Sequence, residues 1–207
     1  MKESKEHIKG IILSAGESSR MGRPKALLRL PSGDTLLTDQ VLRLKEAGVS
    51  RIYVVVGCEA KRIKSIHRTA EVLWVMNDHW HLGGFSSLIA GLRAISSHPT
   101  RRLQGVVLLP IDVAGVEPEI IKQIIDEGLR TNKNIIPRYN GRGGHPVYIC
   151  RKTMEKILQD FTEKDGRLDY ILTHDAETFQ IPVASASILN NINTMNDWNN
   201  YLKTFLG

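Results

Sequence analysis

Residues 11–28 read IILSAGESSRMGRPKALL. The stretch opens apolar and β-branched, breaks at Gly16, carries Arg20, Gly22 and Lys25 through a polar loop, and turns apolar again at Leu27. A short apolar run that ends in small residues has the length of a buried strand, and a loop bearing two cations follows it. Ser14, Ala15 and Gly16 let a ligand come close to the backbone, whose N–H groups in such a turn form an anion nest. Arg20 offers a planar fork to a phosphate and Lys25 a point charge. The loop matches neither common phosphate loop. Gly16 and Gly22 stand too far apart for G-x-x-x-x-G-K-[ST], no Ser or Thr follows Lys25, and G-x-G-x-x-G is absent.

The same alternation of strand-length apolar runs and helical periods recurs along the chain. IKGIIL (8–13) precedes LLTDQVLRLKEAG (36–48), RIYVVVG (51–57) precedes AKRIKSIHRTA (60–70), VLWVMN (72–77) precedes SSLIAGLRAISS (86–97), and GVVLLPID (105–112) precedes PEIIKQIIDEGLR (118–130). Four strand-then-helix repeats predict a mostly parallel sheet with helices on both faces, a three-layer α/β/α arrangement of Rossmann-like type. NIIPRY (134–139), PVYIC (146–150), TFQIPV (178–183) and MNDWNNYLKTFL (195–206) extend that sheet with shorter connections. With 207 residues, and no Pro/Gly/Ser-rich linker or internal repeat, one domain over residues 1–207 is expected.

Composition narrows the partners. The chain is 42% hydrophobic and 24% charged with a net charge of +6, and its basic residues are scattered among acidic ones rather than gathered in a block. A small polyanion fits that pattern better than a nucleic-acid backbone. No apolar run approaches the 18 or so residues of a membrane span. The charged start MKESKEHIK lacks the apolar core of a signal peptide, so a cytoplasmic location is expected. Cys58 and Cys150 each follow an apolar run without C-x-x-C spacing and read as reduced, partly buried thiols. His79 and His81 form an H-x-H pair without a third nearby ligand, which does not make a zinc site.

In an open α/β sheet, ligands bind beyond the carboxyl ends of the strands. Four loops qualify: after Leu13, after Asn77, after Ile111, and around Gly143 and Gly144. In NDHWHLGGFSSLIAGL (77–92), Gly83 and Gly84 precede a helix whose first turn carries Ser86 and Ser87, so N–H groups and hydroxyls are available to a ligand, or the serines cap the helix. In GVVLLPIDVAGV (105–116), a buried strand delivers Asp112 to the ligand edge, either as an oxygen ligand for a cation or as the start of an Asx turn. RYNGRGGHPVYI (138–149) reads by itself as a turn with a surface histidine.

LSAGESSRMGRPKALL resembles the L-x-A-G-x-S-x-R-M-G-x-x-K signature of nucleotidyltransferases that join a nucleoside triphosphate to a phosphorylated acceptor. Four separated blocks fall in the order found in the molybdopterin nucleotidyltransferases, the MobA-like enzymes of the nucleotide-diphospho-sugar transferase fold, and most closely in the molybdenum cofactor cytidylyltransferase branch. That resemblance implies Arg20, Lys25 and Asp112 as catalytic residues. It implies Leu13, Ser14, Ala15, Gly16, Gly84 and Ser87 for the nucleotide, and Arg142, Gly144 and His145 for the acceptor. It also implies Mg²⁺ on Asp112 and Asn193. NNINTMND (190–197) is similar to a block whose second aspartate joins the metal, and Asn193 stands in its place here, where it or Thr194 could equally cap the last helix. Ala114 stands where the family usually has proline. The implied partners are the triphosphate, a molybdopterin-type acceptor and a molybdoenzyme that receives the product. Leu13-Ser14-Ala15-Gly16 resembles the Leu-Ala-Ala-Gly of the cytidine branch, which implies CTP over GTP, the Ala15 methyl crowding a purine. The competing readings are a sugar-phosphate or methylerythritol-phosphate nucleotidyltransferase, and a non-catalytic carrier of the cofactor.

Overall fold

The computed structural model describes residues 7–67, 70–98, 102–162 and 166–205. Residues 1–6, which hold most of the charged start, lie outside them. The strands are β1 (Ile8–Ser14), β2 (Arg51–Val56), β3 (Leu73–Met76), β4 (Gly105–Pro110), β5 (Asn134–Tyr139), β6 (Arg142–Gly143), β7 (Val147–Cys150) and β8 (Thr178–Pro182). The helices are α1 (Leu36–Glu46), α2 (Ala60–Ile66), α3 (Gly84–Ser96), α4 (Pro118–Thr131), α5 (Arg151–Asp160), α6 (Leu168–His174) and α7 (Met195–Lys203). The strands form one sheet in the order β3-β2-β1-β4-β7-β5-β6, with β8 also on β5.

The four strands read from the repeating pattern pair in parallel, β1 lying between β2 and β4. Beyond β4 the sheet is mixed. β7 runs antiparallel to β4 and to β5, while β8 runs parallel to β5. The reversal matters for the site: Val147, the first residue of β7, pairs with Leu108 near the end of β4. The approach to β7 therefore lies at the same edge as the carboxyl ends of the parallel strands.

Side chains alternate across the sheet as the pleat requires. Ile8 and Ile12 of β1 join a cluster with α1, α2, α4 and α7, whereas Ile11 and Ala15 join one with α3, α5 and α6. This is the expected three-layer arrangement. α4 shows the helical period most plainly, burying Ile120, Ile121, Ile124 and Ile125 behind Pro118 in its first turn. Several boundaries differ from the periodic reading. α2 stops at Ile66, with His67 bonded back to the Ile63 carbonyl through both its backbone N–H and Nδ1. Residues 68 and 69 of the expected helix, and Leu206 of the last one, lie outside the described residues. No helix among the described residues is long and apolar enough to cross a membrane. Cys150 is buried and Cys58 partly so, both as free thiols.

Candidate active site

The loop after β1 leaves the sheet through Ala15 and Gly16 and is pinned at both ends. The Cys58 N–H donates to the Ala15 carbonyl at 2.9 Å, and Met21, Ala26 and Leu28 sink into the core. Between these anchors Ser18 takes a left-handed conformation (φ 56°) and Gly22 another (φ 65°), so the chain folds back on itself. That fold brings Arg20 and Lys25 to one cleft of about 410 Å³, which Leu13, Ala15, Gly16, Ser87, Asp112 and Asn193 also line. A Cβ placed on Gly16 or Gly84 would meet nothing within 4 Å. Neither glycine is demanded by protein packing; their missing side chains keep the cleft open.

Asp112 follows β4 on a loop held from two sides. Gln40, a polar residue in the buried stripe of α1, donates to the carbonyls of Pro110 (3.0 Å) and Val113 (2.8 Å). The Ile192 N–H donates to the Asp112 carbonyl at 2.7 Å, and the Ala114 N–H to the Asn190 carbonyl at 3.0 Å. The latter bond answers the departure at Ala114, because a proline there would have no N–H to give. These bonds lay residues 190–193 beside the Asp112 loop. Capping falls to Thr194, in a reciprocal box with Asp197. Asp197 also accepts from the Asn193 N–H at 2.9 Å, which leaves the Asn193 amide turned toward the cleft. Its carboxyl is held below the usual range, first by that N–H and then by the Thr194 hydroxyl, with Arg20 a smaller contributor.

The Lys25 ammonium sits 3.4 Å from Asp112 Oδ2 and donates to Asn193 Oδ1 at 3.1 Å. Two hard oxygen donors thus converge on a point already occupied by a cationic group. A carboxylate and an amide carbonyl fit a hard divalent cation that takes its remaining ligands from phosphate oxygens and water. No group of three or more His, Cys, Asp or Glu side chains able to hold a metal occurs among the described residues, and the rings of His79 and His81 stand 6.4 Å apart.

The N-terminus of α3 borders the same cleft. Gly83 precedes it with φ 98°, leaving first-turn N–H groups free of a side-chain cap. Ser86 and Ser87 are not caps. Both hydroxyls accept from Asn77 Nδ2 at 3.0 Å, and Ser86 donates to the Gly83 carbonyl at 2.7 Å. Asn77, buried at the end of β3, is the organiser of this loop. Trp80 also lines the cleft, seated against Gly57, where a Cβ would lie 2.5 Å from the Trp80 Cβ.

Leu13, Gly84 and Pro110 are shared with a second pocket of about 620 Å³. Its walls are largely apolar, from Phe85, Leu88, Ile136 and Val147 to Leu168 and Leu172 of α6, with His145 and the Arg167–Asp169 pair as polar members. Gly144 and His145 are fixed there by backbone bonds: Gly144 N–H to the Pro137 carbonyl and His145 N–H to the Ile188 carbonyl, each 3.0 Å. His145 precedes Pro146 through a cis peptide bond. Its Nδ1 is buried with no hydrogen-bond partner, and burial lowers its pKa against a smaller opposing pull from Asp112.

Two residues expected at the site stand apart from these cavities. Ser14 is 4% exposed and lies in the strand phase of Ile12, so its side chain faces the α1 side of the sheet instead of the cleft. Arg142 pairs with Tyr139 on the exposed β5–β6 hairpin and lines neither cavity. Gln40, Asn77, Trp80 and the α6 residues are additions. A glutamine in an apolar helical stripe is a visible signal for Gln40; Leu168, Ile171 and Leu172 fall at helical spacing, which marks α6 as a helix but not as the wall of a pocket.

Comparison with known proteins adds the family. The chain is 23% identical over 188 residues to a "Probable molybdenum cofactor guanylyltransferase" of Mycobacterium ulcerans, covering 91% of this chain and 90% of that one. The crystal structure of Rv0371c from Mycobacterium tuberculosis superposes with a TM-score of 0.78 at 24% identity, over 97% of this chain and all of that one (100%). A manganese complex of Rv0371c superposes with a TM-score of 0.73 at 22% identity, over 95% and 98% of the two chains. A family model matches residues 10–178, most of the chain, and by that match the protein belongs to the MobA-like NTP transferase domain family.

Proposed function

We propose that the protein transfers a nucleotidyl group from a nucleoside triphosphate to the phosphate of a molybdopterin-type acceptor, releasing pyrophosphate. The observation that carries this reading is the meeting of Lys25, Asp112 and Asn193 beside the junction between a charged cleft and an apolar pocket. In the reaction an oxygen of the acceptor phosphate attacks the α-phosphorus, and the bond between the α-phosphorus and the bridging oxygen breaks. A phosphate monoester has a second pKa of about 6, so it is largely dianionic at neutral pH and needs no base. What remains for the protein is alignment and charge neutralisation. Arg20 and Lys25 grip phosphate oxygens, and the free N–H groups of α3 face the same anion. Asp112 and Asn193 hold a divalent cation, Mg²⁺ or Mn²⁺. When bound, that ion neutralises phosphate charge. His145, kept neutral by burial, and Gly144 border the acceptor.

The pocket favours this acceptor over a sugar phosphate or methylerythritol phosphate. A polyol carries hydroxyls that need partners when buried, and the apolar walls supply few; a fused ring system does not incur that cost. Arg142 is left out of the acceptor set because it lines neither cavity.

For the base, the expectation of CTP loses its physical footing. Ala15 lines the cleft but is only 4% exposed and belongs to the buried cluster that also holds Val55 and Leu88, so little of its methyl is left to crowd a purine. The relatives' name, guanylyltransferase, supports GTP, and GTP is the donor we infer. The test is to incubate the protein with molybdopterin, with and without molybdenum, and each of GTP, CTP and ATP with Mg²⁺ or Mn²⁺, and to measure pyrophosphate. Release with GTP that depends on the pterin supports the reading. Binding without pyrophosphate makes the protein a carrier. Release only with a sugar phosphate or methylerythritol phosphate moves it to another branch, and a higher kcat/KM for CTP restores the cytidine assignment.

A further inference from the structure

The two oxygen donors of the cleft are held by groups other than Lys25. Gln40 and the Ile192 N–H fix the Asp112 loop, and Asp197 fixes the Asn193 backbone. Lys25 reaches both oxygens on a flexible four-carbon stem, from a backbone pinned by Ala26 and Leu28, each 1% exposed. Its side chain is 11% exposed, so the ammonium is drawn inward onto the donors instead of reaching into solvent. An ammonium so close to these oxygens occupies the space a second cation would need and repels any that approaches.

We propose that Lys25 closes the cation site until a nucleoside triphosphate arrives. The phosphates draw the ammonium off Asp112 and Asn193, and those oxygens then receive the divalent cation that accompanies the nucleotide. This rests on the nucleotidyl-transfer reading above and goes beyond it by making one residue the link between two ligands. Because binding coupling is reciprocal, the triphosphate strengthens cation binding by the same factor as the cation strengthens triphosphate binding. The protein alone takes up little free metal.

The experiment titrates Mn²⁺, followed by the EPR signal of the free ion, against wild type, Lys25→Met, Lys25→Ala and Arg20→Met, with and without a non-hydrolysable triphosphate. Both Lys25 variants should bind Mn²⁺ alone about tenfold or more tightly than wild type, and the strengthening by nucleotide should shrink by the same order. Arg20→Met removes a like charge from the same cleft without vacating the donors, and its Mn²⁺ affinity should change less than about twofold. Adding Asp112→Asn to Lys25→Met should erase the gain. Equal Mn²⁺ affinity in wild type and the Lys25 variants, or equal gains from Lys25→Met and Arg20→Met, overturns the proposal while leaving the transferase reading intact. If calorimetry finds no triphosphate binding to wild type, with or without Mn²⁺, the transferase reading fails and this proposal falls with it.

Discussion

On the β1 side of the opening, the charged groups of the cleft are carried on loops whose backbones are pinned elsewhere. Lys25 rides on buried Ala26 and Leu28, and Asp112 on a loop tied to Gln40 and Ile192. On the β7 side, the groups that line the pocket also build the fold. Leu88, Val147 and Leu172 line the pocket and belong to the core cluster, and Gly144 fits only because it lacks a side chain. Removal of charge from the first half should leave the fold intact. In the second half, chemistry and packing are the same atoms, and substitutions there should touch stability and activity together.

The sharpest way to break that contrast is at Lys25 and Asp112. Lys25→Ala and Asp112→Ala should each lower pyrophosphate release by about two to three orders of magnitude, the scale of one lost transition-state donor. Melting temperatures should fall by no more than a few degrees, because solvent reaches the pair from the Asp112 side, 30% exposed, and screens it. A large loss of thermal stability in either variant would show that the charged half is structural too.

Glycine substitutions sharpen the comparison at the next scale. A Cβ on Gly144 would lie 2.3 Å from the Ile188 carbonyl oxygen, which already accepts the His145 N–H. Gly144→Ala should therefore cost about 1–3 kcal/mol of stability and impair turnover. Gly16→Ala should melt like wild type, since nothing stands within 4 Å of its Cβ, yet weaken triphosphate binding by about tenfold as the methyl enters the cleft. Reversed outcomes, a destabilised Gly16→Ala and a stable Gly144→Ala, would invert the assignment of the two halves.

The two halves also differ in how far they could be read from residues alone. The parallel strands announce themselves through β-branched runs, each followed by a helical period, and the ligand edge of such a sheet follows from its topology. Lys25, Arg20 and Asp112 read at the carboxyl edge from topology, and Asn193 from the motif, and all four line one cleft there. The mixed half carries a weaker signal. Nothing local states that β7 runs antiparallel, so the placement of His145 beside the end of β4 is a tertiary fact. The helical spacing of Leu168, Ile171 and Leu172 announces a buried helix face, but not that Leu168 and Leu172 wall a pocket. Ser14 stands apart for a simpler reason: a strand points alternate residues to opposite faces, and Ser14 shares the phase of Ile12, not that of Ala15.

A smaller effect is expected from pH. Burial lowers the His145 pKa in the folded protein, whereas the unfolded chain keeps a value near 6.5. Below about 6.5 the unfolded state takes up the proton first, so stability is full above that pH and declines as pH falls toward the lower folded value, where it levels off. His145→Gln removes this pH dependence. Its melting temperature, measured from pH 7.5 down to 5, should fall less steeply than that of wild type; parallel curves would show that His145 is already solvated in the folded state.

The smallest effect should come from Ala15, and it bears on how a loop beside a core can select a base. If the methyl stood in the cleft, deleting it would relax a choice between pyrimidine and purine, since a methyl-sized contact discriminates by about 1–3 kcal/mol. Ala15 is instead 4% exposed, a member of the buried cluster with Val55 and Leu88, and its carbonyl is fixed by the Cys58 N–H. Ala15→Gly should then shift the ratio of kcat/KM for GTP and CTP by less than about threefold, well under the methyl-contact scale. Its main consequence should be a modest destabilisation of about 1 kcal/mol, from lost packing and a freer backbone. A tenfold change in the base ratio with unchanged stability would put the methyl back in the cleft, and would make the first strand's last residues, already the most informative in the sequence, the seat of base selection after all.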